Sequence, residues 1–200
     1  MFDLLSIIVK GGPVMLPLLV CSIVALAIVI ERSLFWRRIS SRRTEEDLLN
    51  LVERGEAEKA LELGRRTDSP LTRVLASGLA HRNPSLTKAL EVAAQKEVPV
   101  LKQRLTILDT IITLAPLLGL LGTVTGMIGS FGIMSQSGIG QPHAVTGGVA
   151  EALIATATGL LIAILTLVPY NYFSNRAEQE MERIEYYASR LELLLGEEKK

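Results

Sequence analysis

Three stretches of this sequence contain no charged residue, and they constrain the fold more than any other feature. They cover residues 13–30, 110–150 and 152–175. A helix of about 18 or more apolar residues is long enough to cross a hydrocarbon core about 30 Å thick, whereas buried helices of soluble proteins usually have shorter apolar runs. The sequence therefore predicts an all-α fold with three membrane-spanning helices.

The middle stretch is too long for one crossing, and a segment rich in glycine, serine, proline and glutamine divides it. The predicted organisation is an N-terminal segment with the first span (1–36), a helical segment (37–104), the second span (105–134), a short loop (135–148), the third span (149–173) and a C-terminal helix (174–200).

Lysine and arginine are concentrated at one end of each predicted span. A cluster of arginines follows the first span, two basic residues precede the second, and Arg176 follows the third, whereas 135–148 contains no lysine or arginine. Basic residues near the ends of spans favour the cytoplasmic side of a membrane. We therefore expect a periplasmic N-terminus and loop, and a cytoplasmic 37–104 segment and C-terminus.

The segment 44–104 is typical of short amphipathic helices. Gly55, Gly64 and the residues 68–70 are predicted breaks between them. The last of these helices is expected to run on towards the second span, with Pro99 bending it or ending it.

The C-terminal helix carries an apolar seam with alternating spacings of four and three residues, which is typical of a coiled coil. The seam consists of Ala177, Met181, Ile184, Ala188, Leu191 and Leu195. It could pack onto the helices of 44–104 or onto another subunit, and the sequence leaves both alternatives open.

Small residues recur on one face of the second span and on one face of the third. They let membrane helices approach closely, which matters because lipid supplies no hydrophobic drive for helix association. We therefore expect the two spans to pack through Gly119, Gly122, Gly126 and Gly129 on one side and Ala155, Gly159 and Ala163 on the other.

Within or at the ends of the spans, the acidic residues are Asp109 and Glu151. They are expected near opposite membrane faces, about 30 Å apart at the helical rise per residue, which is too far for a catalytic pair. His81 and His143 are also separated by the membrane, and the glycine-rich segment lacks the Lys-Ser/Thr of a phosphate loop. We therefore expect no enzyme activity, no metal, no cofactor and no nucleic-acid partner.

Two motifs are similar to signatures of the MotA/TolQ/ExbB family. One is APLLGLLGTVTGM at 115–127, and the other is VAEALIATATGL at 149–160. Glu31-Arg32 at the exit of the first span and the turn at 55–60 also resemble the family. Three spans in 200 residues resemble its ExbB/TolQ branch.

This resemblance implies a homo-oligomer of the bacterial inner membrane, typically a pentamer, with long helices extending into the cytoplasm. Its central cavity would hold a single-span partner like ExbD or TolR, which carries the essential aspartate. Proton movement would drive work on the envelope through a TonB- or TolA-like protein, in TonB-dependent uptake or Tol-type envelope maintenance. The resemblance assigns Thr123 and Thr156 to the pore and Glu151 to the ion pathway.

A second function from another class stays open, namely a passive membrane scaffold that assembles partner proteins without ion flux. Within the motor interpretation, the residues do not separate protons from sodium ions or uptake from envelope maintenance.

Overall fold

The computed structural model of the chain describes residues 11–39, 43–137 and 142–197, and the regular elements in these ranges are all α-helices. They are α1 Met15–Ile39, α2 Arg43–Glu53, α3 Ala57–Arg66, α4 Pro70–Ala80, α5 Leu86–Leu101, α6 Leu105–Ser137 and α7 Pro142–Glu197. Three helical stretches, which include α1, α6 and most of α7, are long and apolar enough to cross a membrane. The predicted all-α fold with three spans is therefore confirmed.

The chain divides into two compact units. One, which we call the apolar unit, consists of Met1–Ile30 and Arg104–Asn171, and the other, the charged unit, consists of Glu31–Gln103 and Tyr172–Lys200. In the described part of the apolar unit, the charged residues are Arg104, Asp109 and Glu151. The division therefore follows the charge pattern of the sequence.

The apolar unit has a buried cluster of apolar side chains and a largely apolar exterior. A buried cluster at the start of α1 consists of Val14, Met15, Leu18 and Ala115, with Leu118 and Ile162 packed against it. Many larger apolar side chains are exposed, among them Leu117, Leu120 and Val124 on α6 and Leu161, Leu165 and Val168 on α7. An apolar exterior suits helices that cross a bilayer, because lipid tails are as apolar as leucine.

The charged unit contains the short helices α2 to α5, each of which buries apolar side chains, among them Leu48, Leu49 and Val52 of α2, Ala60 of α3, Leu71, Val74 and Leu75 of α4, and Leu90 of α5. Gly55 forms the predicted break between α2 and α3 with a φ of +75°. Gly64, in contrast, does not break the chain but lies buried inside α3. A Cβ at Gly64 would collide with the Cβ of Ala76, so the glycine serves a close helix contact.

The end of α7 packs within the charged unit. Ala177, Ile184 and Leu191 of its apolar seam are buried. Arg183 Nη2 donates to Glu45 Oε2 at 2.8 Å, which ties α7 to α2. These contacts favour the first of the two alternatives for the seam, namely packing within its own chain.

The chain between α5 and α6 turns at 102–104, where Arg104 has a φ of 63°. Pro99, which was expected to bend or end the helix, lies inside α5. The guanidinium of Arg32 is fully buried and donates to the carbonyl oxygen of Val100 at 3.1 Å. The last carbonyls of a helix lack partners within it, so Arg32 satisfies one of them and stabilises this end of α5.

The loop predicted over 135–148 is too long. Residues 135–137 belong to α6 and 142–148 belong to α7. Glycine is better tolerated in membrane helices than in soluble ones, so the composition of this segment misleads. The remainder of the predicted loop, 138–141, lies outside the described residues, as do 1–10 and 40–42.

Candidate functional site

The hydroxyl of Thr156 joins two helices of the apolar unit. Its Oγ1 donates a hydrogen bond to the carbonyl oxygen of Gly119 at 2.9 Å, and the side chain is half-buried. A Cβ added to Gly119 would lie 2.9 Å from the Cα of Thr156. The bond therefore forms because glycine lets the α7 backbone come this close to α6.

The hydroxyl of Thr123 bonds within its own helix. Its Oγ1 donates to the carbonyl oxygen of Leu120 at 2.6 Å, and the side chain is half-buried. Thr125 behaves in the same way, with Oγ1 donating to Leu121 at 3.0 Å and to Gly122 at 3.2 Å. Because a hydroxyl oxygen has two lone pairs, these oxygens still have acceptor capacity after donating.

Glu151 is half-buried and lines a cleft of about 230 Å³ in the apolar unit. The polar side chains that share the cleft with it are Thr125 and Ser130, and Pro13 lines it from the chain before α1. Ser130 is buried, and its Oγ donates to the carbonyl oxygen of Gly126 at 2.9 Å. In the cleft, the carboxyl group of Glu151 is thus surrounded by hydroxyl groups and glycine backbone.

The three residues assigned from the resemblance do not all line this cleft. Its lining includes Glu151 but neither Thr123 nor Thr156. Thr125 and Ser130 line it instead, and neither was predicted for the ion pathway from the sequence. Ser130 follows Gly126 by one helical turn, a spacing that places both residues on one face of α6.

Most of the small residues expected to pack lie at the contact between α6 and α7. A Cβ on Gly122 would lie 2.5 Å from the Cβ of Ala155, and one on Gly126 would lie 2.9 Å from the carbonyl oxygen of Gly148. A Cβ on Gly159 would collide with the carbonyl oxygen of Ala115.

Ala163 is also buried, at 8% exposure. Gly129 departs from the expectation, because a Cβ there would meet nothing within 4 Å. It lines the cleft, so its lack of a side chain leaves space and makes no helix contact.

Asp109, the other acid in the described part of the apolar unit, is exposed in the second turn of α6. The described residues contain no group of three histidine, cysteine, aspartate or glutamate side chains that could hold a metal ion. The side chain of His143 lies outside the described residues.

Comparisons with known proteins match the residues that form these elements. Residues 66–186 match the model of the MotA/TolQ/ExbB proton channel family. The chain is 38% identical to a relative in Synechocystis sp. that carries the name biopolymer transport protein ExbB-like 3, over 92% of this chain and 91% of the relative.

Another Synechocystis relative, named ExbB-like 1, is 37% identical over 97% of this chain and 80% of its own length. The Tol-Pal system protein TolQ of Pseudomonas aeruginosa is 36% identical over 55% of this chain and 48% of TolQ. The matched segment 66–186 contains both α6 and the part of α7 that packs against it. The chain is therefore a multi-pass membrane protein that belongs to the MotA/TolQ/ExbB proton channel family.

Proposed function

We propose that this chain is the multi-span subunit of an ion-driven motor in the bacterial inner membrane. Its N-terminus is periplasmic and its C-terminus cytoplasmic, as the distribution of lysine and arginine favours. Copies of the chain form a homo-oligomer, a pentamer by family resemblance, around a single-span partner like ExbD or TolR. The motor couples proton movement to work on the envelope, such as TonB-dependent uptake or Tol-type maintenance.

The hydrogen bond from Thr156 to Gly119 is the observation that carries this proposal. Because the hydroxyl proton is engaged with the Gly119 carbonyl, the oxygen of Thr156 is oriented to accept a hydrogen bond. A protonated carboxyl group donates one. Thr156 is therefore suited to hold the proton-loaded form of an aspartate on a partner helix, with Thr123 as a second hydroxyl.

The charge distribution of the apolar unit supports a partner that brings its own acid. Residues 110–150 and 152–175 carry no charge, so Glu151 is the acid between them. A path for protons through a membrane usually needs several titratable groups. A partner aspartate supplies the group that this chain lacks, and Glu151 with its cleft supplies an entrance. The driving force is about 2.3 kcal/mol per charge for each 100 mV.

The test is proton flux in liposomes that contain the purified chain together with its single-span partner. We expect an oligomer of this chain by native mass spectrometry and flux driven by an imposed membrane potential. Thr156→Val should abolish the flux, whereas Thr156→Ser, which keeps the hydroxyl, should retain it. If the Thr156→Val variant still assembles and restores function in a strain lacking this protein, the passive scaffold is favoured instead.

A further inference from the structure

Gly12 lies directly against the carboxylate of Glu151. A Cβ built on Gly12 would collide with Glu151 Oε1 and would lie 2.7 Å from its Cδ and 3.2 Å from its Cγ. Real Cβ atoms do not approach other atoms this closely, and the atoms that would have to move are the carboxyl group itself. The position of the carboxylate therefore depends on the missing side chain at residue 12.

The turn that contains Gly12 is fixed by its neighbours. Gly12 has a φ of +74°, and its carbonyl oxygen accepts the first hydrogen bond of α1, from the backbone N–H of Met15 at 3.1 Å. A Cβ on Gly11 would lie 2.6 Å from Met15 Sδ and 3.2 Å from Ile154 Cγ2. Ile154 and Glu151 are three residues apart and share one face of α7. Two consecutive glycines thus fit the turn onto this face.

Within the part of the chain that the structure describes, no residue donates a hydrogen bond to Glu151 or forms an ion pair with it. Pro13, the next residue of the turn, lines the cleft together with Glu151. The turn therefore limits where the carboxyl group can lie in the cleft.

We propose that Gly12 is a positioning residue for Glu151. Its hydrogen side chain leaves the space that the carboxylate occupies, and any larger side chain displaces the carboxyl group from its place in the cleft. The consequence for activity rests on the proposed ion-coupled function, in which Glu151 lies at the entrance of the pathway.

The experiment compares Gly12→Ala with Gly55→Ala in the full chain with its partner. Gly55 is a matched control for backbone strain, because its φ is +75° and a Cβ there would meet nothing within 4 Å. Moving an active group by about 1 Å can lower the rate on the order of 100-fold. We therefore expect Gly12→Ala to lower ion-coupled activity about tenfold or more. Gly55→Ala should keep near wild-type activity, with complex abundance measured for both.

The decisive variant is Gly12→Ala combined with Glu151→Asp. Aspartate is one methylene shorter, so its carboxyl carbon takes the place of Glu151 Cγ, 3.2 Å from the new Cβ, which relieves the collision while the acid is retained. The double variant should be more active than Gly12→Ala alone. If Gly12→Ala fails to accumulate, the double variant should restore accumulation. Where Gly12→Ala lowers activity or accumulation, a double variant that restores neither overturns the inference.

A second readout separates this inference from the proposed function. Dicyclohexylcarbodiimide modifies carboxyl groups in apolar surroundings, and its attachment to Glu151 can be followed by mass spectrometry. A changed labelling rate in Gly12→Ala but not in Gly55→Ala supports the positioning role, even if activity is unaffected and the ion-coupled role of Glu151 fails. Equal labelling in both variants overturns the positioning role, even if Glu151→Ala abolishes activity.

Discussion

The hydroxyl of Thr156 donates to the carbonyl oxygen of Gly119 at 2.9 Å, across 37 positions of sequence. Thr123, Thr158 and Thr166 instead donate to carbonyls of their own helix, three or four residues earlier. Thr156 therefore joins α6 to α7, and in the proposed function it serves a second purpose by presenting an acceptor oxygen at the same place.

Replacing Thr156 should affect both purposes, because one hydroxyl group serves them. Thr156→Val keeps the shape but loses the bond to Gly119, which costs about 1 kcal/mol for a hydrogen bond between membrane helices. We expect Thr156→Val to abolish ion-coupled activity and to lower the apparent Tm in detergent slightly. Thr156→Ser should be close to wild type in both measurements.

Thr158→Val is the matched control, because the Thr158 hydroxyl donates to Ile154 of its own helix at 2.8 Å. It removes a threonine hydroxyl two residues away from Thr156 without breaking a contact between helices. If Thr158→Val lost as much activity as Thr156→Val, the special role of the Thr156 oxygen would have to be abandoned.

A second prediction contrasts two glycines on α6. A Cβ on Gly119 would meet Thr156 Cα at 2.9 Å and Ala155 O at 3.1 Å, whereas one on Gly129 would meet nothing within 4 Å. Forcing atoms into a filled contact typically costs about 1–3 kcal/mol. We expect Gly119→Ala to lower the apparent Tm and the yield of oligomer, and Gly129→Ala to leave the Tm unchanged or raise it. Equal losses in both variants would contradict the assignment of Gly119 to the helix contact.

The sequence was sufficient for the spans but not for the contacts between them. Uncharged runs such as 13–30 identify a spanning helix because a helix needs only sufficient length and an apolar composition to cross the bilayer. The roles of Gly64 and Gly129 were misjudged because they depend on what faces them, Ala76 in one case and open space in the other. Composition cannot predict which residue faces a given glycine, since this depends on the register between two helices.

The same limit applies to the candidate site. Motif resemblance pointed to Thr123, Thr156 and Glu151, but it gave no hydrogen-bond partner for any of them. That Thr156 donates to Gly119 while Thr123 donates within its own helix depends on which residues of α6 and α7 face each other. The contact of Gly12 with Glu151 depends on the turn before α1, which no helical pattern describes.

The third prediction concerns Arg183, which holds two buried carboxylates in the charged unit. Its Nη2 pairs with Glu45 Oε2 at 2.8 Å and its Nη1 with Glu180 Oε2 at 2.7 Å. Removing the cation from a buried pair leaves uncompensated charge and costs about 3 kcal/mol or more. We expect Arg183→Met to lower the apparent Tm strongly. Arg66→Met, which breaks the exposed pair with Glu62, should change it little.

The last prediction follows from the titration of Glu45. Burial raises the pKa of this carboxyl group above its ordinary value of 4.5, Arg183 opposes the rise, and the neighbouring Glu180 adds to it. The folded protein therefore binds the Glu45 proton more tightly than the unfolded chain does. The stability that this group contributes is fully present below about pH 4.5 and is lost as the pH rises through the raised folded pKa.

Glu45→Gln resembles the protonated side chain in shape and removes the titration. We expect the apparent Tm of Glu45→Gln, relative to wild type, to increase as the pH is raised from about 4.5 towards neutrality. Melting curves in detergent across that range measure the difference, with Glu62→Gln as the exposed control. A difference that shrinks with rising pH would mean that the Arg183 pairing outweighs the burial of Glu45.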